Sequence, residues 1–130
     1  MGQIEEEIQA LLDAFGDAVR ARDLEATLAL LAETDVIVVG SEAGEESVGL
    51  DEVRAFFARL YARESSYGWE WSRRWVSLAG RIGWFVADGE EVIRSPAGEV
   101  MKRLPYVMSG VAERRADGWR LRMLHGSEPA

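Results

Sequence analysis

The spacing of the hydrophobic positions changes about half-way along the chain. In the first half, apolar residues recur every three or four positions, which is typical of helices that bury one face. This pattern predicts a helix over 3–21, a shorter helix that Asp23 can cap, and a third helix that begins at Asp51. The apolar stripes consist of Ile4, Ile8, Leu11, Leu12, Phe15 and Val19, then Leu24, Leu28 and Leu31, then Val53, Phe56, Phe57 and Leu60.

The second half alternates between apolar and polar positions, as β-strands do. Four long strands are predicted over 67–78, 81–93, 99–115 and 119–127. Asp88-Gly89 is a rival hairpin signal, but a turn over 95–98 leaves strands of matched length and is preferred. Pro105 inside the third long strand predicts a sheet edge or a bulge. A β-branched run over 36–39 predicts one more short, buried strand, followed by an acidic loop over 40–49 that can end in a further short strand.

Helices at the front of a chain and antiparallel strands behind them are typical of an α+β fold. With 130 residues, we expect a single domain over 1–130. The sheet must bury one face, and the three helices can lie across it. If the sheet curls, a lined cavity remains between the two layers, so function is expected in a pocket there.

Composition excludes several classes of function. The net charge of −8 argues against nucleic acid or an anionic membrane as a partner. The chain has no cysteine, which excludes disulfides, thiol catalysis and cysteine-ligated metal. Its one histidine, His125, argues against a metal site and a Ser-His-Asp triad. No nucleotide-binding motif is present, so no cofactor is expected. The acidic N-terminus lacks the basic start of a secretory signal, which favours the cytoplasm.

The sequence over 114–127, with Asp117-Gly118-Trp119 and His125-Gly126-Ser127, resembles the last hairpin of SnoaL-like domains. These belong to the nuclear transport factor 2-like superfamily. The stretch is also similar to the association domain of calmodulin-dependent kinases. The resemblance implies a cystatin-like cone, in which a curved antiparallel sheet wraps around three helices and leaves a pocket on its concave side. It also implies a homodimer, often formed through the outer sheet face.

The resemblance does not choose a chemistry, because this fold supports many activities. Ketosteroid isomerases of the superfamily carry a carboxylate base where this chain has Gly40, and a phenol at Phe15. Their second oxyanion donor corresponds to about Gly110. All three groups are missing here, so we do not expect isomerase activity of that type. The pocket arginines of the kinase domain match about Gly110 and Gly126, which predicts a wider and less polar cavity.

The same alignment turns one face of the second long strand toward the pocket. The residues that we expect to line the pocket and bind the ligand are Phe15, Phe57, Tyr61, Trp84, Val86, Met108, Arg122 and Leu124. Asp88, on the face of Trp84 and Val86, is the candidate general acid or base, and Tyr106 the candidate hydrogen-bond donor. The alternatives are that the apolar side chains only fill the core and that Asp88 is a turn or rim residue.

Two further residues leave alternatives open. By alternation, His125 faces away from Leu124 and Gly126, which favours a hydrogen-bonded histidine on the outer, dimer-forming side. The other interpretation is a proton shuttle at the mouth of the pocket. Arg122 can bind a carboxylate ligand or pair with Asp88, or it can lie at a solvated sheet edge.

Two functions remain. The first is a protein that holds a small, mostly apolar organic molecule in its cone, with or without acid–base catalysis. The second is a non-catalytic association module. A cavity above ~300 Å³ favours ligand binding, whereas a cavity packed solid by its own side chains favours the module.

Overall fold

The computed structural model describes residues 2–129. Three helices and six strands lie within this range, and the predicted long strands are confirmed to within one residue at each end. The elements are α1 Gln3–Arg20, α2 Leu24–Ala29, β1 Ile37–Val39, β2 Glu46–Val48, α3 Leu50–Tyr61, β3 Ser66–Ala79, β4 Ile82–Arg94, β5 Val100–Arg115 and β6 Gly118–Ser127. β2 is the short strand expected at the end of the acidic loop.

The helix boundaries follow from local chemistry. Glu5 and Glu6 lie in the first turn of α1 and Arg20 in its last turn, which suits the helix dipole. The backbone N–H of Ala26 donates to Asp23 Oδ1 at 3.0 Å, so the predicted cap of α2 is confirmed. Gly49 precedes α3 with φ +87°, a conformation that glycine adopts without strain.

The six strands form one curved sheet in the order β2-β1-β6-β5-β4-β3. Neighbours are antiparallel except for β1 and β6, which are parallel. The preferred turn after β4 is confirmed, because the N–H of Gly98 donates to the carbonyl of Ser95 at 2.8 Å. The rival Asp88-Gly89 hairpin is wrong, since β4 runs through both residues. Pro105 lies in the half of β5 that β6 does not reach, and is therefore at an edge, as predicted.

Irregularities in the strands change which side chains face the helices. Strand β3 slips in register with β4 between Trp71 and Arg73, so Trp71 packs against the core whereas Trp75 is exposed. Strand β6 slips against β5, so Leu121 and Leu124 are both buried although they are three positions apart. Such bulges bend a sheet and increase its twist.

The core lies between the helices and one face of the sheet. Ile8, Leu12 and Val19 of α1 pack there with Phe85 of β4 and Leu121 of β6, and all five are nearly inaccessible to solvent. Trp75 and Trp84 are exposed on the opposite face of the sheet. The predicted α+β fold with helices across one sheet face is confirmed. None of the helices in 2–129 is long and apolar enough to cross a membrane.

Candidate functional site

A cavity of about 260 Å³ opens between the helices and the inner face of the sheet. It lies slightly below the ~300 Å³ that marks the lower end of typical small-molecule sites, but it is not packed solid. Its apolar walls come from α1, α3 and strands β1, β3, β4, β5 and β6. The aliphatic and aromatic side chains in these walls are Phe15, Val38, Val39, Phe56, Phe57, Leu60, Tyr67, Trp69, Ile93, Leu104, Tyr106, Met108 and Leu124.

Glu91 is an acid within this apolar wall. It lies on β4, directly between Trp69 of β3 and Leu104 of β5. It is only 8% exposed, and no hydrogen bond or ion pair joins its carboxyl group to another residue of 2–129. Burial, together with the nearby Glu128, Glu42 and Glu45, raises the pKa of this carboxyl group from 4.5 to about 7. Glu91 can therefore hold or release a proton near neutral pH.

Tyr106 places a phenol on the same inner face as Glu91. Tyr106 pairs with Gly89 and Glu91 with Leu104, so Tyr106 and Glu91 are diagonal neighbours, a spacing that long side chains can bridge. Burial raises the pKa of the Tyr106 phenol well above its usual range, which keeps its proton in place. The hydroxyl group lies over Gly126, where a Cβ atom would be 1.9 Å from it. The missing side chain at Gly126 thus gives the phenol its position.

Charged side chains line the rim of the cavity, and acids outnumber bases. They are Glu42, Glu45, Glu128, Arg63 and Lys102. The Arg63 guanidinium group donates to Tyr67 Oη at 3.1 Å and lies 3.6 Å from the Glu42 carboxylate, so it is already engaged. With Glu91 included, four glutamates face two cations, which makes the entrance and the wall negative.

Two of three comparisons with known proteins found matches to this chain. A sequence profile described as a SnoaL-like domain matches residues 8–130. The chain belongs to the SnoaL-like domain family. A search of curated proteins found no match.

Solved structures share the fold of this SnoaL-like domain at low sequence identity. A proposed dehydratase of the nuclear transport factor 2-like family from Streptomyces avermitilis is 20% identical, with 98% and 97% of the two chains covered and a TM-score of 0.85. A proposed aromatic ring hydroxylase from Novosphingobium aromaticivorans is 21% identical, with 98% and 90% covered and a TM-score of 0.84. A proposed calmodulin-dependent kinase association domain from Thiobacillus denitrificans is 23% identical, with 94% of each chain covered and a TM-score of 0.76. At such identities these structures establish the fold alone.

The structure of this SnoaL-like domain brings five of the predicted site residues together. Phe15 from α1, Phe57 from α3, Tyr106 and Met108 from β5 and Leu124 from β6 all line the cavity. Tyr61 does not line it. Its hydroxyl group lies 2.7 Å from Thr27 Oγ1 and joins α3 to α2, while the fully buried Thr27 hydroxyl group donates to the carbonyl oxygen of Asp23 at 2.7 Å.

The face assigned to β4 from the sequence is wrong. Trp84 and Val86 are 46% and 38% exposed on the outer face of the sheet, and Asp88 lies there with them. The Asp88 carboxylate pairs with Arg73 at 3.5 Å and does not reach the cavity. Phe85 faces inward instead. Both faces of β4 carry apolar residues, so alternation identified the two sets but not which of them is buried.

Arg122 and His125 also lie outside the cavity lining. Arg122 forms ion pairs with Glu113 and Asp35 and not with Asp88, because the register slip in β6 turns its side chain toward those acids. His125 is exposed and faces away from Leu124, as alternation indicated. His125 therefore does not lie at the mouth of the pocket, where a proton shuttle would have to be.

The two glycines expected to widen the cavity do not do so. A Cβ atom at Gly110 would lie 2.7 Å from the Phe85 ring, and one at Gly126 would meet the Tyr106 hydroxyl group. The space that each glycine leaves is filled by a neighbouring aromatic side chain. The cavity is consequently narrower and more polar than the sequence predicted.

The sequence did not indicate Glu91 or its cross-strand neighbour on β3, Trp69, as site residues. One signal could have found the acid. Glu90 and Glu91 are consecutive in a strand, so one of the two carboxylates must point to the inner face. Glu90 is the exposed member of the pair.

Proposed function

We propose that this SnoaL-like domain holds a small organic molecule in its cavity and that Glu91, rather than Asp88, is the acid or base of the site. One observation supports this proposal above all others. Glu91 is more than nine-tenths buried as a residue, its carboxyl group has no hydrogen-bond or ion-pair partner in 2–129, and it lines an open cavity. Buried polar groups are normally satisfied, so this carboxyl group is expected to meet its partner in a bound molecule.

The chemistry available to such a molecule is proton transfer. A group with a pKa of about 7 exists in both protonation states at neutral pH, which is the best condition for a general acid or base. The Tyr106 hydroxyl group can donate a hydrogen bond to an oxygen on which negative charge develops. Isomerisation, dehydration and cyclisation all need a proton donor or acceptor beside a stabilised oxygen. Glu91 and Tyr106 supply both functions from adjacent strands.

The second candidate function, an association module, is supported by the outer face of the sheet. Trp84, Val111, Met123 and Ile37 are direct partners across β4, β5, β6 and β1 and form an apolar row. Trp84 and Ile37 are 46% and 38% exposed. A contiguous apolar surface of this kind is typical of a protein–protein interface. We propose that two copies of the chain pair through this face, which leaves the cavity on the opposite face free.

Native mass spectrometry of the protein from its own host tests both proposals together. We expect a particle of twice the subunit mass that carries additional small-molecule mass. Gly126→Ala should lose the small molecule, because the new Cβ atom forces the Tyr106 ring toward the cavity. Trp84→Glu should keep the small molecule but yield monomers, because it places a charge in the apolar row.

Ser127→Ala is the matched control for Gly126→Ala, since Ser127 is adjacent and exposed. It should retain the small molecule. If the wild-type protein carries no added mass, and takes up none from a mixture of small aromatic compounds, the ligand proposal fails. A wild-type protein that is monomeric at micromolar concentration contradicts the proposed dimer.

A further inference from the structure

We infer that the molecule held by the cavity is a small organic ammonium ion, with its charged nitrogen against Glu91 and its apolar part among the aromatic rings. This inference rests on the proposed function and names the class of ligand. Glu91 is more than nine-tenths buried and lacks a partner within 2–129, although it lines an open cavity. A cation bound in the cavity is therefore stabilised most when it lies beside the carboxyl group of Glu91.

The charges around Glu91 favour a cation over an anion or a neutral molecule. Glu42, Glu45 and Glu128 all disfavour the charged form of Glu91, whereas Arg63 favours it. Arg63 is already held by Glu42 and Tyr67. An anionic ligand would add another like charge in a poorly solvated wall, whereas an ammonium group would compensate the charges that are present.

The walls indicate that the cation is organic. Aromatic side chains from both layers line the cavity into which Glu91 faces: Phe15, Phe57, Tyr67, Trp69 and Tyr106. No cluster of three or more acidic or histidine side chains in 2–129 is arranged to hold a metal ion, so the glutamates do not form such a site. A hydrocarbon or aromatic group can fill the cavity while its ammonium group donates hydrogen bonds to Glu91 and to the Tyr106 hydroxyl oxygen.

Three probes of similar shape test the inference on the whole chain. Benzylamine is a cation at neutral pH, benzyl alcohol is neutral and benzoate is an anion. We expect calorimetric titration at about pH 8 to show benzylamine binding at least ~10-fold more tightly than benzyl alcohol, with benzoate weakest. Glu91→Gln should abolish the preference for benzylamine. Glu90→Gln, which removes a charge on the outer face, should preserve it.

A second measurement needs no variant at Glu91. Between about pH 8 and about pH 5 the wild-type affinity for benzylamine should fall, because Glu91 takes up a proton, while the affinity for benzyl alcohol should stay constant. The groups that face Glu91 and must be considered in this window are Glu42, Glu45, Glu128, Arg63, Lys102 and Tyr106. Glu90→Gln should show the same fall as the wild type.

The outcomes separate this inference from the proposed function. If benzyl alcohol binds the wild type as tightly as benzylamine does, or if the preference survives Glu91→Gln, the ammonium ligand is overturned and the cavity remains a small-molecule site. If none of the three probes binds at millimolar concentration, both the inference and the proposed function are overturned.

Discussion

Phe85→Ala is expected to lower the free energy of unfolding by about 3–5 kcal/mol, the usual cost of truncating a buried aromatic side chain. Phe85 is 2% exposed and its ring contacts the backbone at Gly110 so closely that no Cβ atom fits there. The chain cannot collapse into the space that the ring leaves, because both neighbouring strands are fixed by their pairing to β4. Urea unfolding followed by circular dichroism measures the change.

Asp88→Ala is the matched control on the opposite face of the same strand. Its carboxylate forms an exposed ion pair with Arg73 at 3.5 Å, so we expect a loss below about 1 kcal/mol. If the face of β4 predicted from the sequence were the buried one, these two results would be reversed, because Asp88 would be buried and Phe85 exposed. A mild Phe85→Ala together with a severe Asp88→Ala would therefore show that the sheet packs by its other face.

This reversal marks the limit of what the sequence could predict. Helices, strands and turns follow from apolar spacing, the Asp23 cap and the glycine turns, and these depend on neighbours along the chain. Which face of β4 is buried depends on which side of the sheet the helices cover, and the alternation within β4 is the same in either case. Trp84 and Val86 are as apolar as Phe85 and Ala87, so composition could not decide between the two faces.

Glu91→Gln is expected to make the stability of the protein much less dependent on pH. The folded state raises the pKa of Glu91 from 4.5 to about 7. Between these two pH values, Glu91 of the folded chain binds a proton that the unfolded chain has released. The stabilisation that this proton provides is fully present below the pKa of Glu91 in the unfolded state. It is lost as the pH rises through the pKa of Glu91 in the folded state. The loss amounts to about 3 kcal/mol. At about pH 8 the variant should be more stable than the wild type by up to this amount, whereas at about pH 5 the two should be nearly equal.

Glu90→Gln is the control for this experiment, because the Glu90 side chain is exposed beside Arg103. It should leave the wild-type difference between the two pH values unchanged. Urea unfolding of the three proteins at both pH values supplies the comparison. If wild type and Glu91→Gln lose stability in parallel as the pH rises, Glu91 is not a buried, unpartnered carboxyl group, and the proposed site loses its acid.

The sequence predicted only part of the candidate site, because the rest also depends on how the layers of the fold assemble. The sequence correctly predicted that three residues of β5 and β6 line the cavity: Tyr106, Met108 and Leu124. They lie away from the point where β5 and β6 slip in register, so the alternation of inward and outward side chains holds there. Glu91 was missed because its importance depends on burial and on the absence of a partner. The Glu90-Glu91 pair indicates that one carboxylate faces inward, but burial and the lack of a partner are properties of the assembled layers.

The most direct test of the cavity as a ligand site uses the tryptophan indole N–H signals in ¹H–¹⁵N spectra. Trp69 lines the cavity and its indole N–H is buried without an acceptor in 2–129, whereas Trp75 and Trp84 lie on the outer face. When benzylamine or benzyl alcohol is titrated into the labelled protein, we predict that the Trp69 signal shifts while those of Trp75 and Trp84 stay in place. Shifts of Trp75 or Trp84 with an unmoved Trp69 signal would place binding on the outer face and contradict the cavity as the site.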